Sequence, residues 1–168
     1  VTDAMNKKII IAALLFAGGL AWSMHYFSDR QVIRRKFAAV AVSLAKSGEE
    51  TPVMTAVKMR QVKDFIAPAC EAVVPERNYQ ENLDPDLVIR YLIYYRTRKV
   101  SLQVSIEEME VQVPYEGGAE ANLLIEINAN QGRADAFRER HRISFVLKKR
   151  DKNWLVAKAT MPDALVSN

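Results

Sequence analysis

One cysteine, Cys70, stands in 168 residues. An intramolecular disulfide is therefore excluded, and so is any multi-cysteine zinc or iron–sulfur site. Six glycines and six prolines leave no room for collagenous or proline-rich repeats. There is no Gly-rich phosphate loop, no Gly-x-Ser-x-Gly elbow and no His-Glu-x-x-His pair. Net charge is scarce too: 24 basic against 20 acidic side chains leave only +4. What is present is an ordinary globular mixture, 49% hydrophobic and 26% charged, enough for one domain with a core.

The apolar residues are unevenly spread. Ile9 to Phe27 carries no formally charged side chain, with Lys7 and Lys8 before it and Asp29 and Arg30 after it. A helix of that length spans the roughly 30 Å hydrocarbon core of a bilayer. The segment at 9–28 is expected to be a transmembrane anchor, following a short tail at 1–8. Ile9, Leu14, Phe16 and Leu20 would face lipid, and Trp22, Tyr26 and Phe27 would sit near the interface. A cleaved signal peptide is the alternative, with Ala21-Trp22-Ser23 as the small-x-small site. The short basic tail favours an inner-membrane, single-pass protein with an exported C-terminal domain at 29–168. Arg30, Arg34, Arg35 and Lys36 on the other flank weigh against that orientation.

Beyond the anchor the periodicity is helical at first. Ile33, Phe37, Val40 and Leu44 repeat on one face between Arg30 and Lys46. No breaker separates this helix from the apolar segment, so one rod over about 9–47 is expected. Thr51-Pro52 and Asp84-Pro85 are cap-plus-proline starts for two more helices. The first should bury Val53, Val57, Phe65 and either Val62 or Ile66; the second should carry Val88, Tyr91, Leu92 and Tyr95 on one stripe. Residues 69–74 read as a short strand and 75–83 as a polar loop.

From Val100 the period drops to two. Val100, Leu102, Val104 and Ile106 alternate with polar residues, then Met109, Val111 and Val113 continue one position out of phase. Such a slip is what a β-bulge produces. Three further strands follow, joined by Gly117-Gly118, Gln131-Gly132-Arg133 and Asp151-Lys152-Asn153. Helices first and an antiparallel meander afterwards define an α+β fold.

This order, and the ending KKRDKNWLVAKATM over 148–161, resembles the nuclear-transport-factor-two-like superfamily, which includes ketosteroid isomerases, polyketide cyclases and scytalone dehydratase. The resemblance covers about 30–162. It implies a cone-shaped fold in which a curved antiparallel sheet wraps helices around a pocket, and an outer sheet surface through which relatives often dimerise. The superfamily has no common catalytic residue, so activity must be argued from the site. Ketosteroid isomerases place a catalytic tyrosine on the first helix, and residues 30–46 contain none. Scytalone dehydratase uses two histidines, whereas beyond the apolar segment this chain has His141 alone.

Two surfaces are candidates. Glu139 and His141 lie two apart on an otherwise apolar strand face with Phe137, Ile143 and Phe145, where an acid–base pair would have perturbed titration. Tyr91, Tyr94 or Tyr95 would supply a hydroxyl. The plain alternative is a histidine satisfied by the glutamate; with two ligands at most, no metal site is read here, and no cofactor is expected. The opposite face carries Arg138, Arg140 and Arg142, with Leu124 and Val146 on the same outward parity. No stacking aromatics interleave with these arginines, so nucleic acid is not the expected partner. Cross-strand pairing with Glu126 or Glu110 is the plain reading of the arginines. Docking of a second copy or another protein is the functional one. The sum is a membrane-anchored, non-catalytic assembly subunit, a layout that resembles the inner-membrane assembly proteins of type IV secretion. A small-molecule isomerase, dehydratase or cyclase, or a carrier of a small hydrophobic ligand, is the alternative.

Overall fold

The computed structural model describes residues 28–165. The tail, the apolar segment and its residues Ile9, Leu14, Phe16, Leu20, Trp22, Tyr26 and Phe27 lie outside the described residues. Among the described residues no helix is long and apolar enough to cross a membrane.

Three helices lie with a seven-stranded curved sheet. Helix α1 (Asp29–Leu44) leads to a two-residue strand β1 (Lys46–Ser47), then α2 (Pro52–Lys63) and β2 (Ile66–Val74). A single 3-10 turn at Pro75–Arg77 precedes β3 (Tyr79–Leu83) and α3 (Pro85–Thr97). Strands β4 (Ser101–Tyr115), β5 (Gly118–Ala129), β6 (Phe137–Arg150) and β7 (Asn153–Thr160) complete the sheet in the order β1-β4-β5-β6-β7-β2-β3. The meander from β4 to β7 is as the alternation predicts. The expectation of an antiparallel sheet holds for every pairing except β2 with β7, which is parallel. The chain crosses from β2 to β7 through α3 and the whole meander, which permits a parallel arrival.

The predicted bulge is present. Ile106 pairs with Ile125 and Glu108 with Leu124, leaving Glu107 as the extra residue. That slip keeps both halves of β4 facing inward despite their opposite phase.

The core sits between α1 and the inner sheet face. Ile33 and Phe37 of α1 meet Phe65, Val111, Leu123, Leu147 and Trp154. Phe37 packs edge-on against Phe65 at 5.0 Å between ring centroids and beside Phe145 at the same distance. Each such aromatic pair contributes roughly 0.5–1.5 kcal/mol beyond its buried area. The Trp154 indole N–H donates to Asp29 at 2.9 Å, and the Lys149 ammonium donates to the same carboxylate at 2.8 Å. Chiefly because of the Lys149 bond, the Asp29 carboxyl is held below its ordinary value; partial burial opposes this and the Trp154 bond adds to it. The start of α1 is thus tied to the β6–β7 hairpin, with an acid where the helix dipole favours one.

Three expectations need correction. Helix α1 stops at Leu44 because Ala45 turns extended, so no rod reaches 47. Residues 79–83 are not loop but the edge strand β3, paired to β2 from Cys70–Leu83 to Val74–Tyr79. Val62 and Phe65 are buried as expected, but helix α2 buries Met59 beside Val62 in place of Val53 and Val57, which are 73% and 54% exposed.

Candidate functional site

Glu139 and His141 are brought together on the inner face of β6. The Glu139 carboxylate lies 2.9 Å from His141 Nε2, with the histidine buried at 7% exposure and the glutamate at the margin of the core. They pair across to β5 with Ile127 and Ile125. Of the three candidate tyrosines, Tyr95 is the one associated with them. Its hydroxyl is raised above the ordinary range, first by burial and second by the nearby Glu139 charge. Lys99 then closes over the rings of Tyr95 and Phe137, at 5.2 and 4.7 Å from their centroids. Chemically this is a half-buried carboxylate–imidazole pair under a tyrosine and a lysine. Among the described residues no cluster of three or more His, Cys, Asp or Glu side chains is arranged to hold a metal ion.

Open grooves lie elsewhere. One of about 460 Å³ is lined by Arg34, Ala38 and Ala41 of α1 and Val104–Glu107 and Met109 of β4. A second, of about 480 Å³, continues from Arg30 and Arg34 along residues 110–114. Neither is lined by Glu139 or His141.

The outward arginines are engaged within the sheet. Arg138 and Arg140 reach Glu126 at 2.6 and 3.2 Å, Arg140 also reaches Glu107 at 2.8 Å, and Arg142 reaches Glu108 at 3.5 Å. Glu126 is pushed down to about 2, chiefly by the Arg138 bond, then by Asn128 and Arg140 against the opposing effect of burial. The bulged residue Glu107 is therefore part of the charge ladder, whereas Glu110 accepts from Gln112 instead. Leu124 and Val146 share this outer face but not one patch. Leu124 pairs with Arg142 and Val146 with Glu120, and the hydrogen-bonded Asn122–Ser144 rung lies between them. Four residues of strand separate the two rungs, about 13 Å.

The more continuous apolar surface is on the helices. Two ion pairs set α2 and α3 antiparallel: Lys63 to Asp86 at 2.6 Å at one end, and Arg96 to Glu50 at 2.8 Å at the other. These ties put Val57 level with Tyr91 and Val53 level with Tyr94. All four are exposed, Tyr91 at 62% and Tyr94 at 56%, with Met54 beside them. The Arg98 guanidinium lies 4.3 Å from the Tyr94 ring centroid. Tyr79 on β3 is near Tyr91; its hydroxyl is raised first by its bond to Glu81, then by burial and these neighbouring charges.

A signal for this surface was in the sequence. At about 100° per residue, Met59 lies about 200° round α2 from Val57. A helix apolar on two opposite sides can bury only one of them in a two-layer fold. In α3 the expectation fails for Tyr91: it shares the helical spacing of Val88, Leu92 and Tyr95 but is 62% exposed, at the solvent margin of that stripe.

Below this face is a buried anchor. Arg96, 2% exposed, donates to the carbonyls of Leu44 and Ala45 at 3.0 Å each and to Glu50. Lys58 donates to Ala45 and Glu50. Burial alone would raise the Glu50 carboxyl, but Lys58 and Arg96 outweigh it and hold it below the ordinary range.

No family model and no curated protein matches the sequence. Solved structures do match in fold. A putative scytalone dehydratase from Novosphingobium aromaticivorans DSM 12444 is 11% identical, covering 78% of this chain and 80% of its own at a TM-score of 0.61. A hexachlorocyclohexane dehydrochlorinase (LinA) is 6% identical over 83% and 87%, at 0.63. The association domain of C. elegans CaMKII is 10% identical over 78% and 89%, at 0.54. Others are described by a cystatin-like fold. This chain has that cone-like α+β fold.

Proposed function

We propose that the chain is a non-catalytic protein-interaction subunit of a membrane complex, held to the bilayer by its N-terminal apolar segment. The observation that carries this reading is the exposed Val53, Met54, Val57, Tyr91 and Tyr94 surface across α2 and α3. Tyrosine backed by arginine over an apolar base is the composition of an interface centre. Its position favours a protein over lipid as the occupant. Lys58 and Arg96 tie this helix pair to the carbonyls of Leu44 and Ala45, at the end of α1 remote from the apolar segment. Sixteen helical residues set that end about 24 Å from Asp29. The engaged state of Glu139 and His141, away from both grooves, also supports it.

The test is purification of the full chain from detergent-solubilised native membranes beside a Val53→Asp/Val57→Asp variant. Loss of a fixed-stoichiometry protein partner from the variant, at matched expression and unchanged melting, is the expected result. Identical partner recovery from both would overturn this surface as the docking site. The second reading, a small-molecule isomerase, dehydratase or cyclase or a hydrophobic-ligand carrier, draws on the Tyr95–Glu139–His141 grouping. It requires that Glu139→Gln abolish turnover or ligand retention.

A further inference from the structure

Strand β4 is fifteen residues long, but on its outer side β1 covers only its first two, Ser101 and Leu102. From Gln103 to Tyr115 that edge has no strand partner among the described residues. An open edge of this length is a template for another strand unless it is blunted. It is blunted only in part: the bulge at Glu107 and Pro114 break it at two points, and between them the Arg34 guanidinium donates to the carbonyl of Met109 at 3.0 Å. That bond also shows which way the backbone points. With Met109 presenting its carbonyl to the free edge, the two-residue repeat presents the N–H and C=O of Val111 there as well. Both grooves described above run along this stretch, between it and α1. Small side chains at Ala38 and Ala41 leave the space open on the helix side.

We propose that the β4 edge takes up an extended segment of a partner protein in which apolar residues alternate with cationic ones. The alternation follows from the two faces of β4. On the inner side the incoming segment would lie beside Ile106, Met109 and Val111, which belong to or pack on the core, and beside Val104 of the groove wall; apolar side chains there continue the core. Arg30 and Arg34 on the helix wall of the groove exclude cations from that row. On the outer side it would lie beside Glu108 and Glu110, both exposed, with Glu120 on the next strand. Glu110 has no ion pair among the described residues, and the Glu108–Arg142 contact is long and exposed. Cross-strand pairing of opposite charges stabilises an added strand, and like charges destabilise it. The same rule disfavours a second copy: antiparallel β4–β4 pairing would set Glu108 and Glu110 against themselves. The backbone supplies affinity and the alternating side chains select the partner, as in other strand additions. The site is separate from the α2–α3 surface and does not rest on it.

The experiment uses the full chain in detergent and two eight-residue peptides, one alternating Lys and Val, the other Glu and Val. The Lys/Val peptide should bind at least tenfold more tightly by fluorescence anisotropy. Its binding should slow hydrogen exchange at the Met109 and Val111 amides at least tenfold. Glu108→Lys/Glu110→Lys, both exposed positions, should reverse the preference between the peptides. Binding with no protection at these two amides would place the peptide elsewhere and overturn the proposal, as would equal affinity for both peptides or no binding of either. Protection that appears without peptide and rises with protein concentration would give the edge to a second copy instead.

Discussion

Arg96 and Glu50 show how a few buried charges fix the arrangement of three helices. Arg96 closes the C-terminal carbonyls of α1 while sitting on α3, and Glu50 gathers Arg96 and Lys58 just before α2. Removing one partner leaves an uncompensated buried charge, which costs about 3–5 kcal/mol. Glu50→Gln should lower the denaturation midpoint accordingly, whereas an exposed pair such as Lys63–Asp86 should shift stability by less than about 1 kcal/mol when broken. The pH dependence has a definite sign. Glu50 is depressed in the folded chain, so its contribution is present above the unfolded carboxylate range. It is lost as the pH falls through the folded value; Glu50→Gln should flatten the acid limb of a stability–pH curve and leave the alkaline limb alone. Cys70 gives the opposite case. Burial first, and the Glu71 charge second, push its thiol up to about 11, so almost no thiolate exists at neutral pH. A disulfide-exchange reagent should fail to label the native chain and should label it at once in denaturant; rapid native labelling would contradict the buried placement.

At the scale of elements, β4 and α2 behave differently. The one-residue phase slip at Ile106 to Met109 was legible, because period two leaves only a bulge to reconcile the halves. The buried stripe of α1 was legible in Ile33 and Phe37 for the same reason of periodicity. Helix α2 was legible only in part: Val62 is buried as read, but two apolar stripes compete and only tertiary packing chooses Met59 over Val53 and Val57. Strand β3 was hidden by its sequence, Tyr79–Leu83, which is polar along its length because it is an exposed edge with little core to face. The neighbours of the outward arginines were partly legible: Glu126 was foreseen, but Glu107 becomes a partner only through the bulge. Local signals at the helix starts held. The Thr51 hydroxyl accepts from the Met54 N–H at 3.2 Å with Pro52 following. Thr51→Ala should destabilise the chain by about 1 kcal/mol in chemical denaturation, the usual cost of a lost N-cap. Thr51→Ser, which keeps the acceptor, should restore most of it.

For the whole molecule, a shared cone-like fold does not choose between a dehydratase and an association domain, since function resides in the site. Here the inner carboxylate–imidazole pair is engaged, the outer arginines are neutralised, and Val53, Met54, Val57, Tyr91 and Tyr94 stand exposed on two neighbouring helices. Those features are the ones on which the proposed docking role rests. The attachment inferred for residues 9–28 has its own check: the mature chain should stay with membranes through high-salt and alkaline washing, and release of a chain starting near residue 22–24 would reject the anchor. The most direct measurement of the central claim sets two variants side by side in cells lacking the native chain. Tyr91→Ala/Tyr94→Ala alters the exposed helical face; Glu139→Gln removes the carboxylate that faces His141. The quantity read is recovery of the intact membrane complex and of the activity lost with the chain. Failure is expected with the tyrosine variant and full recovery with Glu139→Gln. Full recovery with the tyrosines gone, and failure with Glu139→Gln, would contradict a docking role.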